Sequence, residues 1–146
     1  MEIKYYKAEE LLVLRRDVMR PGMESFEDVI YPKDNDPSAI HLGVEHDGKV
    51  IACVSAYQDN NPDINQDNQY RIRALCVDEK YRMQGIARNL FNKIIEEITS
   101  RGANAMWFTA RTHLIKFYNS FGFKEYGEEF LVPNSCMHIK MYKITK

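Results

Sequence analysis

The sequence predicts an α/β (α+β) fold, in which helices pack on both faces of a mixed, mostly antiparallel sheet of about seven strands. Three observations support this prediction. Short segments typical of strands alternate with segments of helical period. Asp47-Gly48 separates two of the strands as a hairpin turn. Where the chain runs from strand through helix to strand, neighbouring strands are expected to be parallel. The predicted element order is βα(α)βββαβαββ.

The first half of the chain begins with a short strand at residues 3–6. An amphipathic helix follows and stops at Pro21-Gly22. Its apolar residues are Leu11, Leu12, Leu14, Val18 and Met19. Residues 23–39 are ambiguous and allow a short helix near Phe26. Strands are then expected at residues 40–45 and 49–57, on either side of the hairpin turn.

Residues 58–69 are expected to form an exposed loop, because ten of these twelve side chains are acids or amides. A strand at 70–77 follows. A helix then begins near residue 86 and has a buried face, which consists of Ile86, Leu90, Ile94 and Ile98. Beyond it we expect a strand at 105–109, a helix ending at Gly122, and strands at 124–131 and 137–143.

Composition places the chain among globular proteins of one domain, which we expect to span residues 1–146. Twenty basic and twenty-one acidic residues give a net charge of −1 without a dense basic run, so nucleic acid is not an expected partner. Apolar runs are too short for a membrane span, and the amino terminus lacks the form of a secretion signal. Three widely spaced cysteines show no metal-binding spacing and predict reduced thiols. We therefore expect a cytoplasmic protein without a bound metal or membrane partner.

The turn between the strand at 70–77 and the following helix is the most informative segment. Unpaired N–H groups and the helix dipole favour an anion at such a helix start. Gly85 lets the backbone approach that anion closely, and Arg82 can add charge-assisted hydrogen bonds to a phosphate. Neither a dinucleotide fingerprint nor a P-loop motif is present. The spacing alone also fits an ordinary strand-to-helix connection.

Two motifs resemble signatures of the GNAT superfamily of N-acetyltransferases. The run Arg82-Met83-Gln84-Gly85-Ile86-Ala87 is similar to the loop that holds the pyrophosphate of acetyl-coenzyme A in that family. The later segment from Phe117 to Phe123 resembles its Phe-Tyr and Gly-Phe signature. Ala110-Arg111-Thr112-His113 and His138-Ile139-Lys140-Met141 resemble the small bacterial ElaA-like branch.

This resemblance implies the GNAT acyl-coenzyme A fold and a binding site for the acyl donor. The backbones of Leu75, Cys76 and Val77 are then expected to pair with the pantetheine arm. The pyrophosphate is expected at Arg82, Met83, Gln84, Gly85, Ile86 and Ala87. Acetyl-coenzyme A and an amine acceptor are the implied partners, and the resemblance leaves a homodimer open.

Catalysis in the family implies direct attack of an amine on the thioester. Tyr118 occupies the position of the acid that protonates the departing thiolate, although its helical spacing with Phe117 and Phe121 is equally typical of core packing. The base is less defined, because the strand at 70–77 carries no carboxylate. His113 matches a histidine of the ElaA-like branch and is a candidate base, expected at the entrance of its helix. His138 also matches, and water-mediated deprotonation would need neither histidine.

Two departures from the family pattern leave other functions open. Met19-Arg20-Pro21-Gly22 differs from the expected first-helix run, so the identity of the acceptor cannot be inferred. Together with the missing carboxylate, this allows a noncatalytic acyl-coenzyme A sensor or interaction domain. Transfer of a longer acyl group is a third reading. An acetyl-cysteine route through Cys76 is disfavoured, because a buried thiol is inert unless its thiolate is stabilised.

Overall fold

The computed structural model describes residues 1–146, and its elements follow the predicted order. The strands are β1 (Ile3–Tyr5), β2 (Ile40–His46), β3 (Lys49–Gln58), β4 (Gln69–Val77), β5 (Ala105–Arg111), β6 (Lys124–Leu131) and β7 (Met137–Ile144). The α-helices are α1 (Leu12–Met19), α2 (Ile86–Ser100) and α3 (Ile115–Asn119). Short 3-10 helices occupy Ala8–Leu11, Glu27–Val29, Glu79–Tyr81 and Thr112–Leu114.

The strands form a seven-stranded sheet in the order β1-β2-β3-β4-β5-β7-β6. β1, β2 and β3 pair antiparallel, as do β5, β7 and β6. Hydrogen bonds from Asp59 N to Gln69 O and from Asp78 N to Ile51 O show that β3 and β4 are also antiparallel. β4 and β5 are parallel, with Gln69 opposite Ala105. The predicted fold class, a mostly antiparallel sheet of seven strands with helices, is confirmed.

The chain divides into two compact units. The first comprises residues 1–57 and 72–97, and the second comprises residues 58–71 and 98–146. In the first unit, Leu11 and Leu14 pack with Cys53 and Cys76 in one buried cluster. This cluster explains the apolar stripe predicted for the first helix. The expectation of one domain stays a prediction.

In the second unit, two apolar groups form the core. Phe108 lies with its ring centroid 4.6 Å from that of Tyr118 and 4.9 Å from that of Phe123. Ile64, Ala105 and Trp107 form a separate buried cluster, against which Tyr142 packs. Tyr118 of α3 and Phe123, which follows this helix, thereby pack against β5.

The polar segment at 58–69 is more ordered than its composition predicts. Gln69 is buried and donates its side-chain amide to the carbonyl oxygens of Asn61, Ile64 and Gln66, at 2.9 to 3.2 Å. Its own Oε1 accepts from Asn61 N at 2.9 Å. The prediction of an exposed loop was therefore wrong for Gln69 and for Ile64, which is also buried. One amide satisfies backbone groups that would otherwise need water.

Two of the predicted helices also differ in extent. The ambiguous segment at 23–39 contains only the 3-10 turn Glu27–Val29. The helix predicted before Gly122 splits into the 3-10 turn Thr112–Leu114 and the short α3. Gly122 ends it in the left-handed region, with φ of +89°. No helix of the chain combines the length and the apolar character needed to span a membrane.

Candidate functional site

The predicted phosphate-binding turn lies at the start of α2, the longest helix. The first hydrogen bond of this helix runs from Asn89 N to Gly85 O, at 3.1 Å. The N–H groups of Ile86 and Ala87 precede this bond and have no carbonyl acceptor within the helix. The aligned peptide dipoles of this fifteen-residue helix have their positive end here, so the site favours an anion.

Two residues of this turn have left-handed backbone conformations. Met83 has φ of +65° and Gly85 has φ of +80°. A Cβ built on Gly85 would meet no atom within 4 Å, so the space beside its backbone is open. The Met83 side chain is fully exposed, at 102%. A non-glycine residue in this region costs of order 1–3 kcal/mol, and such strain is concentrated where loops hold ligands.

Arg82 and Asp78 fix the turn to the end of β4. The Nε of Arg82 donates to Val77 O at 3.2 Å, which leaves the four terminal N–H donors of its guanidinium accessible. Asp78 Oδ1 accepts from Lys80 N at 2.9 Å and caps the short 3-10 turn. Exposed backbone donors, an accessible guanidinium and open space at Gly85 together fit a bound pyrophosphate.

The end of β4 is irregular at Ala74, which has φ of +57°. A left-handed residue inside a strand interrupts the alternation of inward and outward side chains. Burial reflects this, because Arg73, Ala74 and Leu75 are all half-buried in succession. The predicted backbone partners of a pantetheine arm, at Leu75 to Val77, directly follow this irregularity.

Tyr118 lies in α3, in the second unit, and its side chain is buried at 7% exposure. Besides Phe108, it contacts the Phe117 ring at a centroid distance of 5.1 Å with an edge-on geometry. The packing that the sequence left as an alternative to an acid role is therefore present. These contacts fix the position of the ring, and the acid role of its hydroxyl stays a prediction.

The two candidate histidines have different surroundings. His113 lies in the 3-10 turn that precedes α3, as predicted, and it is exposed. The side chain of His113 makes no hydrogen bond within the chain. His138 lies in β7 opposite Arg111 of β5, and its Nδ1 is 2.8 Å from Cys136 O. A carbonyl oxygen only accepts, so this contact favours the tautomer with its proton on Nδ1.

Cys76 has a neighbour that the sequence did not indicate. Its thiol lies against that of Cys53 in the buried cluster, and all three cysteines are free. The hydrogen bond with Cys76, and next burial, raise the pKa of Cys53 well above its ordinary value. Cys76 is itself buried, and a buried thiol is inert unless its thiolate is stabilised, so an acetyl-cysteine route is not favoured. Groups of three or more side chains suited to hold a metal ion do not occur.

Sequence reasoning missed a buried polar network in the first unit. Arg15 of α1 is 0% exposed, and its guanidinium binds both oxygens of Asp34, at 2.8 and 3.1 Å. It also donates to Ser55 Oγ at 2.9 Å and to Val29 O at 2.9 Å. The available signal was an arginine directly after Leu14 in the apolar stripe of the first helix.

His41 completes this network. Its Nε2 is 2.7 Å from Asp34 O, and its Nδ1 is 2.7 Å from Ser55 Oγ. Because the carbonyl must accept, Nε2 carries the proton, and in this tautomer Ser55 donates to Nδ1. Tyr31 N also donates to Asp34 Oδ2, at 3.0 Å. The network thus anchors the segment that contains Tyr31 and Asp34 to β2 and β3.

Comparisons with known proteins agree with this architecture. The model of the acetyltransferase (GNAT) family matches residues 8–123. The chain is 32% identical over 143 residues to the uncharacterized N-acetyltransferase YitI of Bacillus subtilis (strain 168), covering 98% of this chain and 95% of YitI.

Solved structures are similar at lower identity. Escherichia coli ElaA matches with a TM-score of 0.70 and 20% identity, over 97% of this chain and 98% of ElaA. An aminoglycoside 6'-N-acetyltransferase complexed with coenzyme A matches with a TM-score of 0.69 and 15% identity, over 99% of this chain and 97% of that one. These two likenesses concern the fold.

Proposed function

Because this chain belongs to the GNAT family and is an acyltransferase, we propose that it transfers an acetyl group from acetyl-coenzyme A to a primary amine. The acceptor is a small molecule or a peptide, which attacks the thioester directly while both substrates are bound. The observation that carries this proposal is the start of α2, where Gly85 leaves open space beside unpaired backbone donors. A pyrophosphate is the group that such a site suits.

The donor is held mainly by backbone groups in this proposal. The N–H groups from Met83 to Ala87 and the guanidinium of Arg82 bind the pyrophosphate. The backbones of Leu75, Cys76 and Val77 pair with the amides of the pantetheine arm. The complex of a similar structure with coenzyme A supports this choice of donor.

Two proton transfers accompany acyl transfer. An alkyl ammonium, with a pKa of about 10.4, must lose a proton before the amine attacks. The departing thiolate, whose thiol has a pKa of about 8.5, leaves more readily when it is protonated. We assign the second role to the phenol of Tyr118. His113 is the candidate for the first role, because its exposed imidazole can reach water or a substrate ammonium.

The reaction is proposed to occur in the cytoplasm, which the three free cysteines support. A noncatalytic acyl-coenzyme A sensor is the second candidate function. It is favoured by the sequence of β4, in which no residue is a carboxylate that could act as the base. Transfer of a longer acyl group from coenzyme A is the remaining enzymatic alternative.

The donor site is tested by calorimetric titration of acetyl-coenzyme A into the wild type and Gly85→Glu. We expect the substitution to abolish measurable binding, because a carboxylate would enter the proposed pyrophosphate space. Gly48→Glu is the matched control, since Gly48 also has a positive φ, +75°, and open space beside it. Equal affinity in the two variants would refute the donor site.

Catalysis is tested by release of free thiol from acetyl-coenzyme A across a panel of amines and peptides. Thiol release above spontaneous hydrolysis, with acetylated product identified by mass spectrometry, supports the transferase. Binding of acetyl-coenzyme A without turnover of any acceptor would support the sensor instead. A parallel series with propionyl- and longer acyl donors decides between acetyl and longer-chain transfer.

A further inference from the structure

Arg73 is a half-buried arginine in β4 without a carboxylate partner. Its guanidinium carbon lies 3.8 Å from the centroid of the Tyr31 ring, and its Nη1 donates to the Tyr57 hydroxyl at 3.2 Å. None of the ion pairs in the structure involves this residue. Charged groups that leave water are normally paired, so a guanidinium held only by neutral groups is unusual.

The carboxylate of the buried network, that of Asp34, is already engaged by Arg15. Both oxygens of Asp34 bind the guanidinium of Arg15, and one of them also accepts from Tyr31 N. Arg15 lies against the same Tyr31 ring as Arg73, with its Cζ 4.6 Å from the ring centroid. Two cations therefore lie against one aromatic ring, and the carboxylate of this network binds Arg15 and not Arg73.

Tyr31 does not supply the missing negative charge. Burial raises the pKa of its phenol, although the two arginines act in the opposite direction, so the phenol stays protonated near neutral pH. Its hydroxyl points to Met19 Sδ, at 3.7 Å. The half-buried guanidinium of Arg73 thus remains available for an anion from outside the chain.

The position of Arg73 indicates which anion this is. It precedes the left-handed Ala74, and Leu75 to Val77 then form the segment proposed to hold the pantetheine arm. A side chain at this point in β4 lies two residues from the donor segment. The planar guanidinium of Arg73 matches the geometry of a carboxylate, with which arginine forms two parallel hydrogen bonds.

We propose that Arg73 binds a carboxylate of the acceptor, so that the acceptor is a small amine that also carries a carboxylate, such as an amino acid. This inference rests on the proposed transferase function, whose acceptor it specifies. The network of Arg15, Asp34, Ser55 and His41 acts indirectly, because it fixes the Tyr31 ring against which Arg73 packs.

The test compares pairs of amines that differ only in the carboxylate, such as phenylalanine with phenethylamine and ornithine with putrescine. The ratio of kcat/KM between the two members is measured by thiol release for the wild type, Arg73→Gln and Arg73→Lys. We expect the ratio to fall about 10- to 100-fold in Arg73→Gln, mainly through KM, as for a lost hydrogen bond to a charged group. Arg73→Lys should restore part of it.

Arg101→Gln controls for the loss of one positive charge, since Arg101 is an exposed residue that follows α2. Its ratio should equal that of the wild type. A ratio that is unchanged in Arg73→Gln, with turnover retained, would overturn the inference and leave the transferase function intact. Thermal unfolding and acetyl-coenzyme A affinity, measured for each variant, separate the effect from misfolding or loss of the donor.

If no amine is acetylated, the transferase proposal fails, and the carboxylate site is decided by binding alone. N-acetylphenylalanine and N-acetylphenethylamine are then titrated into the protein saturated with coenzyme A. Binding of the carboxylate compound that is lost in Arg73→Gln supports the site. Absent binding, or equal binding by wild type and variant, overturns it.

Discussion

The guanidinium of Arg15 binds both carboxylate oxygens of Asp34, and the two side chains are 0% and 5% exposed. All four terminal N–H groups of this arginine have an acceptor, in Asp34, Ser55 and the carbonyl of Val29. The pair therefore joins α1, the segment before β2, and β3 by charged hydrogen bonds that exclude water. Its value to the fold depends on both partners being present, since either one alone would be a buried, unpaired charge.

Asp34→Asn is accordingly expected to destabilise the protein by about 3–5 kcal/mol, because it keeps the shape of the side chain but leaves the Arg15 charge unpaired. Urea denaturation followed by circular dichroism measures the free energy of unfolding. Glu96→Gln is the matched control, since its ion pair with Lys93 is exposed and spans 3.4 Å. Exposed pairs contribute little. Similar losses in the two variants would contradict a special role for the buried pair.

Arg82→Gln is expected to weaken binding of coenzyme A about 10-fold, because it removes charge-assisted hydrogen bonds to the proposed pyrophosphate. Pantetheine lacks the pyrophosphate, so its affinity should be the same for the variant and the wild type. Calorimetry with both ligands measures this difference, and Arg101→Gln serves as the charge control. Equal loss for coenzyme A and pantetheine would indicate a distorted turn rather than a lost phosphate contact.

The buried thiol pair predicts a dependence of stability on alkaline pH. Its hydrogen bond with Cys76 and its burial raise the pKa of Cys53 in the folded state, whereas the unfolded thiol ionises near its ordinary pKa of about 8.5. Below that pH both states are protonated and the contribution is fully present. Above it only the unfolded state loses the proton, so the free energy of unfolding falls as pH rises, by up to about 1.4 kcal/mol per pH unit.

Urea denaturation in the presence of a reductant, between about pH 7 and pH 10, measures this dependence. Cys53→Ala should flatten it, because the variant lacks the thiol whose ionisation is coupled to unfolding. Cys136→Ala is the control, since Cys136 lies outside the buried cluster. A slope that is the same in all three proteins would assign the dependence to other groups.

The fold was predictable because its signals are local. Asp47-Gly48 and the alternating residues around it define a hairpin, and Gly48 does adopt a positive φ. The period of Ile86, Leu90 and Ile94 defines α2, and all three are buried. In each case the residues that determine the structure lie within a few positions of one another, so one sequence suffices.

The conformation of the turn before α2 was predictable for the same reason, since a glycine before a helix is a local pattern. Binding of a phosphate there stays a prediction. The environment of Arg73 was not predictable, because Tyr31 and Tyr57 are 42 and 16 positions away and meet it only in the folded chain. For Gln69, the composition of the surrounding sequence led to a wrong prediction of exposure. The segment at 58–69 is rich in acids and amides, which predicted solvent exposure. Three carbonyl groups instead accept hydrogen bonds from the side-chain amide of Gln69.

If Tyr118 acts as the acid, its hydroxyl contributes to the rate of acyl transfer, separately from the packing of its ring. Tyr118→Phe keeps the contacts with Phe108 and Phe117, so stability and affinity for acetyl-coenzyme A should be retained. Removal of the proton donor should lower kcat about 100-fold on an acceptor whose chemical step limits the rate. Tyr126→Phe is the control, because this tyrosine is exposed in β6. Single-turnover thiol release measures the step directly, and a rate equal to that of the wild type would assign Tyr118 to core packing alone.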